Sequence, residues 1–457
     1  MRPVHKFEEG LIMDTRKIEK ISAKGIIGLY DYNINFTDGN SELKAIYSEN
    51  GCGKTNLLRL IYCVTSKSSA ELQKIFSIPF NELDLKASGK RISFVRRINK
   101  SIDLNIYNES NEIVFSNELN PSDLKNISDP ELGDEIQGKY RDICLNIRKC
   151  TGNSVYLGTN RLNDVDETQA SRIARIKWRM RHRNDSDMDY DPLDIVIESV
   201  LDELSNSLIR NAQRMTIASR GRMGVYSQIV KNIFNNNYDS VRNGKEAKNK
   251  ILQKIKEIDS LEYKDLVNEY KLINFAEYDS IKDTVSSPPR INAKQFMNLY
   301  EILMPYFDSL EEKIQDVSPA ARLIGSFIES INTMFRDKEI NYSMQEGFGV
   351  HSNIVSEDNR EGRDILFDKL SSGEKHVIFL LAKVIVSATR GDSLLVIDEP
   401  EISLGIQWQR LFVKYVQDCA YESNLQIVMA THSPLILEDF DEIDVSMPKR
   451  NWGIENG

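Results

Sequence analysis

The chain has 457 residues, 40% hydrophobic and 28% charged, which is length enough for roughly two to three domain-sized units and a sizeable core. Its formal net charge of −10 excludes a surface that is basic overall, though not a local basic groove. Five cysteines without framework spacing point to a reduced, cytoplasmic chain rather than a disulfide scaffold. The longest apolar run, Val377–Thr389, is too short to cross a membrane and carries Lys383, and the opening MRPVHKFEEG lacks the apolar core of a signal peptide.

Three segments are expected: 1–165, 166–335 and 336–457. From residue 15 the first segment reads mostly as strands. Ile21–Tyr30 and the alternating Tyr32–Phe36 come first, and Ala45–Tyr47 follows as a strand. It leads into Ser48-Glu-Asn-Gly-Cys-Gly-Lys-Thr55, and Asn56–Tyr62 leaves as a helix. Strand, glycine-bearing loop and helix are the context of a phosphate-binding loop. Gly51 and Gly53 let backbone N–H groups, including those of Asn50, Cys52 and Asn56, turn toward phosphate at a helix N-terminus. Lys54 suits the β- and γ-phosphates, and the Thr55 hydroxyl suits Mg2+. The first position of the G-x-x-x-x-G-K-[ST] pattern is Ser48, which matters only if that position needs a positive φ. The alternative is an ordinary strand-turn-helix with a chance GKT. Further on, Arg91–Ile98 and Ile102–Tyr107 flank a short polar turn and predict a hairpin. Val155–Leu157 reads as a short buried strand, after which Thr159, Asn160 and Arg161 are polar candidates at its tip.

In the middle segment helical spacing takes over. Ile195, Ile197, Val200, Leu201, Leu204 and Leu208 form one apolar stripe, and Ile251, Ile255, Ile258 and Leu261 another. Pro192, Pro288, Pro289, Pro305 and Pro319 should break any long rod, so several packed helices are expected instead of a paired arm. Arg172–Arg183 is basic with Trp178 interleaved and would grip nucleic-acid phosphates if helical. The acidic run Asp185, Asp187, Asp189, Asp191 and Asp194 follows at once, so two solvated faces are an equal reading; the run lacks the Gly and Glu of a calcium loop.

The last segment alternates strand and helix. Ser371 and Glu374 of Leu370-Ser-Ser-Gly-Glu-Lys375 fit a capping box ahead of a helix. Leu394–Ile397 is fully apolar, as in a parallel sheet, and ends in Asp398, Glu399 and Glu401. Asp398 fits a Mg2+ ligand, directly or through water, and Glu399 a base for water; a solvated acidic turn is the plainer alternative. Gln426–Ala430 is another buried strand, and Thr431-His432-Ser433-Pro434 sits at its tip, where His432 would meet a γ-phosphate. Strands of this kind between helices indicate an α/β layer architecture.

Together and in this order, SENGCGKT, LSSGEK, LLVIDEPE and ATHSP resemble the phosphate loop, signature, acidic strand and switch histidine of ATP-binding-cassette (ABC) ATPases. The soluble subgroup meant includes RecF, the SMC-like proteins and the overcoming-lysogenization-defect nucleases. The likeness is close over 20–62 and 365–437 and architectural between them. EISLGIQWQRLF at 401–412, with Trp408 and Gln409, resembles the D-loop region, except that Gly405 stands where relatives often have His. The resemblance implies an ABC-type P-loop ATPase head with an antiparallel β subdomain and a helical insertion. It implies ATP and Mg2+ as ligands and two heads sandwiching two nucleotides. Asn50–Asn56, Asp398, Glu399 and His432 would come from one chain, and Ser371, Ser372 and Gly373 from the other. With 23 residues after Pro434, no appended nuclease is expected, nor any membrane region. By analogy with the ATPases of the Septu and PARIS anti-phage systems, the expected role is control of a separate toxin or nuclease. A RecF-like DNA-binding ATPase and an ATP-bound scaffold without turnover are the alternatives.

Overall fold

The computed structural model describes residues 16–38, 42–126, 132–159, 192–219, 243–286, 293–353, 364–365, 367–420, 423–438 and 440–451. The chain divides into two compact units, one of Leu201–Lys369 and one of Ile12–Val200 with Leu370–Gly457. We call them the helical unit and the head.

The head holds two sheets. The first is parallel throughout, in the order β14 (Val445–Ser446), β3 (Leu43–Tyr47), β13 (Gln426–Thr431), β12 (Leu394–Asp398), β8 (Ser154–Leu157). β12 and β13 are buried at every position, as strands covered on both faces must be, which is why they read as unbroken apolar runs. β3 carries an exception in Lys44, buried to 1% exposure. Its Nζ pairs with Asp444 and also donates to the Asp38 carbonyl at 2.9 Å, so the buried charge is matched. Each of β3, β12 and β13 ends at the same sheet edge, where open α/β sheets place their ligands.

The second sheet runs β15 (Lys449–Arg450), β2 (Tyr30–Asn35), β1 (Ile18–Ile26), β4 (Glu82–Ala87), β5 (Lys90–Arg96), β6 (Ile102–Tyr107), β7 (Ile113–Leu119), all antiparallel. The expected hairpin is β5–β6, closed at Arg96 opposite Ile102. Leu83, Leu85, Ile92, Phe94, Leu104 and Ile106 alternate inward and join one core with Leu57, Leu60 and Ile61 of the helix Lys54–Thr65. The same core takes Tyr140, Ile143 and Ile147 from a 19-residue helix, Gly133–Thr151. That helix corrects the reading of this stretch as mostly strands. Its apolar face spaces by three and four, a signal masked by the charged residues between.

The helical unit contains Gly244–Asp259, Lys264–Glu269, Ala276–Ser286 and the 42-residue helix Ala293–Met334. The last corrects the expectation that proline would break any rod, because it passes through Pro305 and Pro319 without ending. Each interior proline costs about 3 kcal/mol. Against that stands a buried seam of Phe296, Tyr300, Leu303, Phe307, Leu310, Ile314, Val317, Ala321, Ile324, Phe327, Ile331 and Met334. Each large member contributes about 1.5–3 kcal/mol, so packing wins. The long helix packs on the helix Gly244–Asp259, whose Ile251, Ile255 and Ile258 are buried as expected, and also on Lys264–Glu269 and β9 (Lys338–Ser343). A small antiparallel sheet, β9 (Lys338–Ser343), β10 (Gly347–Ser352) and β11 (Asp364–Ile365), belongs to this unit. The boundary expected from sequence, at 335/336, falls before it, whereas the helical unit runs on to Lys369. Among the described residues no helix is long and apolar enough to cross a membrane.

Candidate active site

β3 runs into Ser48–Gly53 and then the helix Lys54–Thr65. Gly51 and Gly53 both have φ of +84°, in the left-handed region that favours glycine. They differ in surroundings: a Cβ on Gly53 would lie 2.8 Å from Ile26 Cγ2, whereas one on Gly51 would meet nothing within 4 Å. Ser48 is not among the positive-φ residues, so serine there costs no backbone strain. The helix begins with no side-chain cap and no acidic residue in its first turn. Its leading N–H groups are therefore not claimed by a side-chain cap and suit an anion. Glu49, Asn50 and Gly51 are exposed, while Cys52, Thr55 and Asn56 are half-buried. From β2, the Tyr32 hydroxyl donates to the Cys52 carbonyl at 2.7 Å and pins the loop.

Lys54 is buried and folded back on its own loop. Its Nζ donates to the Ser48 carbonyl at 2.6 Å, the Glu49 carbonyl at 3.1 Å and Ser48 Oγ at 3.3 Å. Burial pulls its pKa below the usual lysine value, while Cys52, Glu399, Glu401 and Asp398 act in the opposite direction. β3 and β12 flank β13, so the acidic strand end lies at the same sheet edge as the loop.

Asp398 is fully buried at the end of β12. Its Oδ2 accepts from the Tyr156 hydroxyl of β8 at 3.2 Å, and its Oδ1 has no partner. Burial pushes the carboxyl pKa up, against the nearby Thr55 hydroxyl, which lowers it. Glu399 follows with φ of +48°, an unusual backbone for a non-glycine, held by its N–H donating to the Ala430 carbonyl at 2.9 Å. That turn directs Glu399 Oε1 to His432 Nε2 at 2.7 Å. With a carboxylate as acceptor, Nε2 carries the proton. The His432 backbone N–H donates to Glu401 Oε1 at 2.8 Å. His432 Nδ1 and Glu401 Oε2 are buried without partners. Beside them Ser433 Oγ donates to Gln409 Oε1 at 2.6 Å, and Gln409 Nε2 donates to the Leu404 carbonyl at 2.9 Å.

Ser371, Ser372 and Gly373 sit on a different element, the start of the helix Ser372–Arg390. Ser371 Oγ accepts from Glu374 N at 3.3 Å and Glu374 Oε2 accepts from Ser371 N at 2.7 Å, the expected capping box. A Cβ on Gly373 would lie 2.6 Å from the Ser403 carbonyl and 3.3 Å from Trp408 Cζ3, so only glycine fits. A Cβ on Gly405 would meet nothing within 4 Å.

The structure thus brings Lys54, Thr55, Asp398, Glu399 and His432 to one sheet edge. Thr55 and Asp398 suit Mg2+: both offer hard oxygen, and Asp398 Oδ1 is buried without a partner. Among the described residues no group of three or more His, Cys, Asp or Glu is arranged to hold a metal. Asn160, Arg161, Arg172–Arg183 and the aspartates from Asp185 to Asp191 lie outside the described residues. Sequence reasoning missed Tyr32, and it placed Glu401 and Gln409 in their motifs without a role in the site. It also looked past Tyr156 to the polar residues after it, although Tyr156 holds Asp398. Only the register of β8 beside β12, Tyr156 opposite Val396, reveals that contact.

Comparison with protein-family models matches residues 49–438 to the family described as "AAA domain, putative AbiEii toxin, Type IV TA system". Comparison with curated proteins gives no match. Among solved structures, an Smc head domain with an extended coiled coil from Pyrococcus furiosus is 12% identical, with 96% of each chain covered and a TM-score of 0.36. An Smc head with a coiled coil and joint from Pyrococcus yayanosii is 13% identical, with 95% of this chain and 97% of that one covered, at 0.35. The family match takes in Glu49–Thr55, the acidic strand end and His432, and the chain belongs to this AAA-domain family.

Proposed function

We propose that the chain binds ATP with Mg2+ and hydrolyses it to ADP and phosphate. The observation that carries this reading is the meeting of Lys54, Thr55 and Asp398 with the Glu399–His432 pair at one sheet edge. Lys54 and the loop N–H groups hold the phosphates, and Thr55 with Asp398 holds the ion, which supplies charge neutralisation when bound. Lys54 must first leave the Ser48 and Glu49 carbonyls, and the γ-phosphate is the stronger acceptor. Glu399 orients the attacking water and takes its proton as the bond to the β-phosphate oxygen breaks. In the structure the Glu399 carboxylate accepts from His432 Nε2–H. A γ-phosphate offers that N–H an alternative acceptor, which frees Glu399 for water.

In the same reading Ser371 and Gly373 face the γ-phosphate bound by a second copy, so ATP joins two heads and hydrolysis releases them. The chain would act as the sensor or scaffold subunit of an anti-phage system in the cytoplasm, with a separate toxin or nuclease as effector. The family description, which names a toxin of a toxin–antitoxin system, supports the more general setting of a chain that works with a second protein. Lys54→Ala tests the enzymatic core. Phosphate release from ATP should fall by about 100-fold or more, and turnover equal to the parent would overturn the proposal.

A further inference from the structure

The start of the helix Ser372–Arg390 is fastened at two points to the turn that carries Glu399. Gly373 lies against the Ser403 carbonyl so closely that a Cβ would sit at 2.6 Å. One turn along, on the same face, His376 is 5% exposed and its Nε2 lies 3.2 Å from the Pro400 carbonyl. A carbonyl only accepts, so Nε2 carries the proton and donates. Pro400 lies between Glu399, in its left-handed conformation, and Glu401, which holds the His432 backbone N–H. Beyond Ser403, the Leu404 carbonyl is held by Gln409, which also holds Ser433. The contacts therefore run unbroken from the signature segment through 399–404 to His432 and Ser433.

We infer that His376 is a positioning residue: through the Pro400 carbonyl it locks the signature helix to the catalytic turn of the same chain. Resting on the ATPase reading above, this makes engagement of Ser371–Gly373 by a second copy's nucleotide a condition for aligning this chain's own Glu399. His376 is 5% exposed and held on the Pro400 carbonyl, so its loss should leave nucleotide affinity alone. What it controls is kcat, and the dependence of turnover on protein concentration that pairing of heads creates.

The test uses the full chain, with turnover followed against ATP and against protein concentration. His376→Ala is expected to lower kcat roughly tenfold, with KM within about twofold, and to flatten the concentration dependence. His376→Gln keeps an N–H donor and should recover most of the rate, whereas His376→Phe fills the space without a donor and should not. If the alanine variant melts at the assay temperature, the Gln and Phe pair decides. An alanine variant with kcat and concentration dependence intact, or a phenylalanine variant as active as the glutamine one, overturns the inference. The ATPase reading then still stands on Lys54→Ala. A parent protein without turnover overturns both.

Discussion

In the helical unit, two clusters of charged groups among the described residues are closed by partners within the unit. Lys254 reaches Asp308 at 2.9 Å and Glu311 at 2.6 Å. Asp259 accepts from Lys264 at 2.5 Å, Lys282 at 2.6 Å and the Tyr278 hydroxyl at 2.8 Å. In the head, Asp398 Oδ1, Glu401 Oε2 and His432 Nδ1 are buried with no partner. The other two such atoms among the described residues, Arg96 Nε and Asn153 Oδ1, are also in the head. A buried polar atom left unpaired costs about 1–3 kcal/mol, which a fold retains where something else completes the bond. Among its described residues the helical unit leaves no such atom. On the ATPase reading proposed above, the nucleotide and its ion complete those at the sheet edge of the head.

Asp398→Asn strikes the head side of this contrast. Turnover should fall by about 100-fold or more, because an amide is a poor ligand for a hard cation. At the same time the nucleotide-free protein should melt about 2–4 °C higher. The sign follows from burial, which raises the Asp398 pKa: its charged form opposes folding at neutral pH, and the amide removes that charge. Differential scanning fluorimetry without nucleotide, beside a phosphate-release assay, checks both. A lower melting temperature with lost activity would mean that Asp398 is structural.

Asp259→Asn makes the complementary test in the helical unit. Burial alone would raise this pKa, but the hydrogen bonds from Lys264, Lys282 and Tyr278 override it and hold the value at about 2. A depressed carboxylate pKa stabilises the fold above the ordinary value of about 4 and loses that contribution as pH falls toward about 2. The variant should therefore melt about 1–3 °C lower at neutral pH, with the difference vanishing by pH 2. Its turnover per folded molecule should match the parent. A pH-independent difference would show that the charge is irrelevant.

Ser48→Gly should do least. Ser48 needs no left-handed backbone, and its hydroxyl is 3.3 Å from Lys54 Nζ, beside a 2.6 Å bond from the same nitrogen to the Ser48 carbonyl, which glycine keeps. Affinity and turnover should stay within about twofold, the scale of one weak hydrogen bond. A change of tenfold in either would show that the hydroxyl, and not the backbone, sets the pose of Lys54.

The same contrast explains what could be read from sequence. The phosphate loop, the acidic strand and the switch histidine are local: each is a strand with its tip residues, and strand, glycine and charge signals lie within a few positions. Tyr156 and Asp398 are 242 residues apart, and no local pattern announces their hydrogen bond. Glu401 was visible in DEPE, but its bond to the His432 N–H depends on β12 lying beside β13. The long helix failed for a different reason. Pro305 and Pro319 are strong local signals, and the seam from Phe296 to Met334 that overrides them is a sum of many weak ones.

The most direct test of the account is the size of Glu399→Gln in solution, by light scattering after gel filtration. With ATP and Mg2+ the protein should run at twice the mass of one chain and revert with ADP, because binding is kept while hydrolysis is lost. A Glu399→Gln protein that stays a single chain with ATP and Mg2+, under conditions where ATP is bound, would contradict the sandwich of two heads.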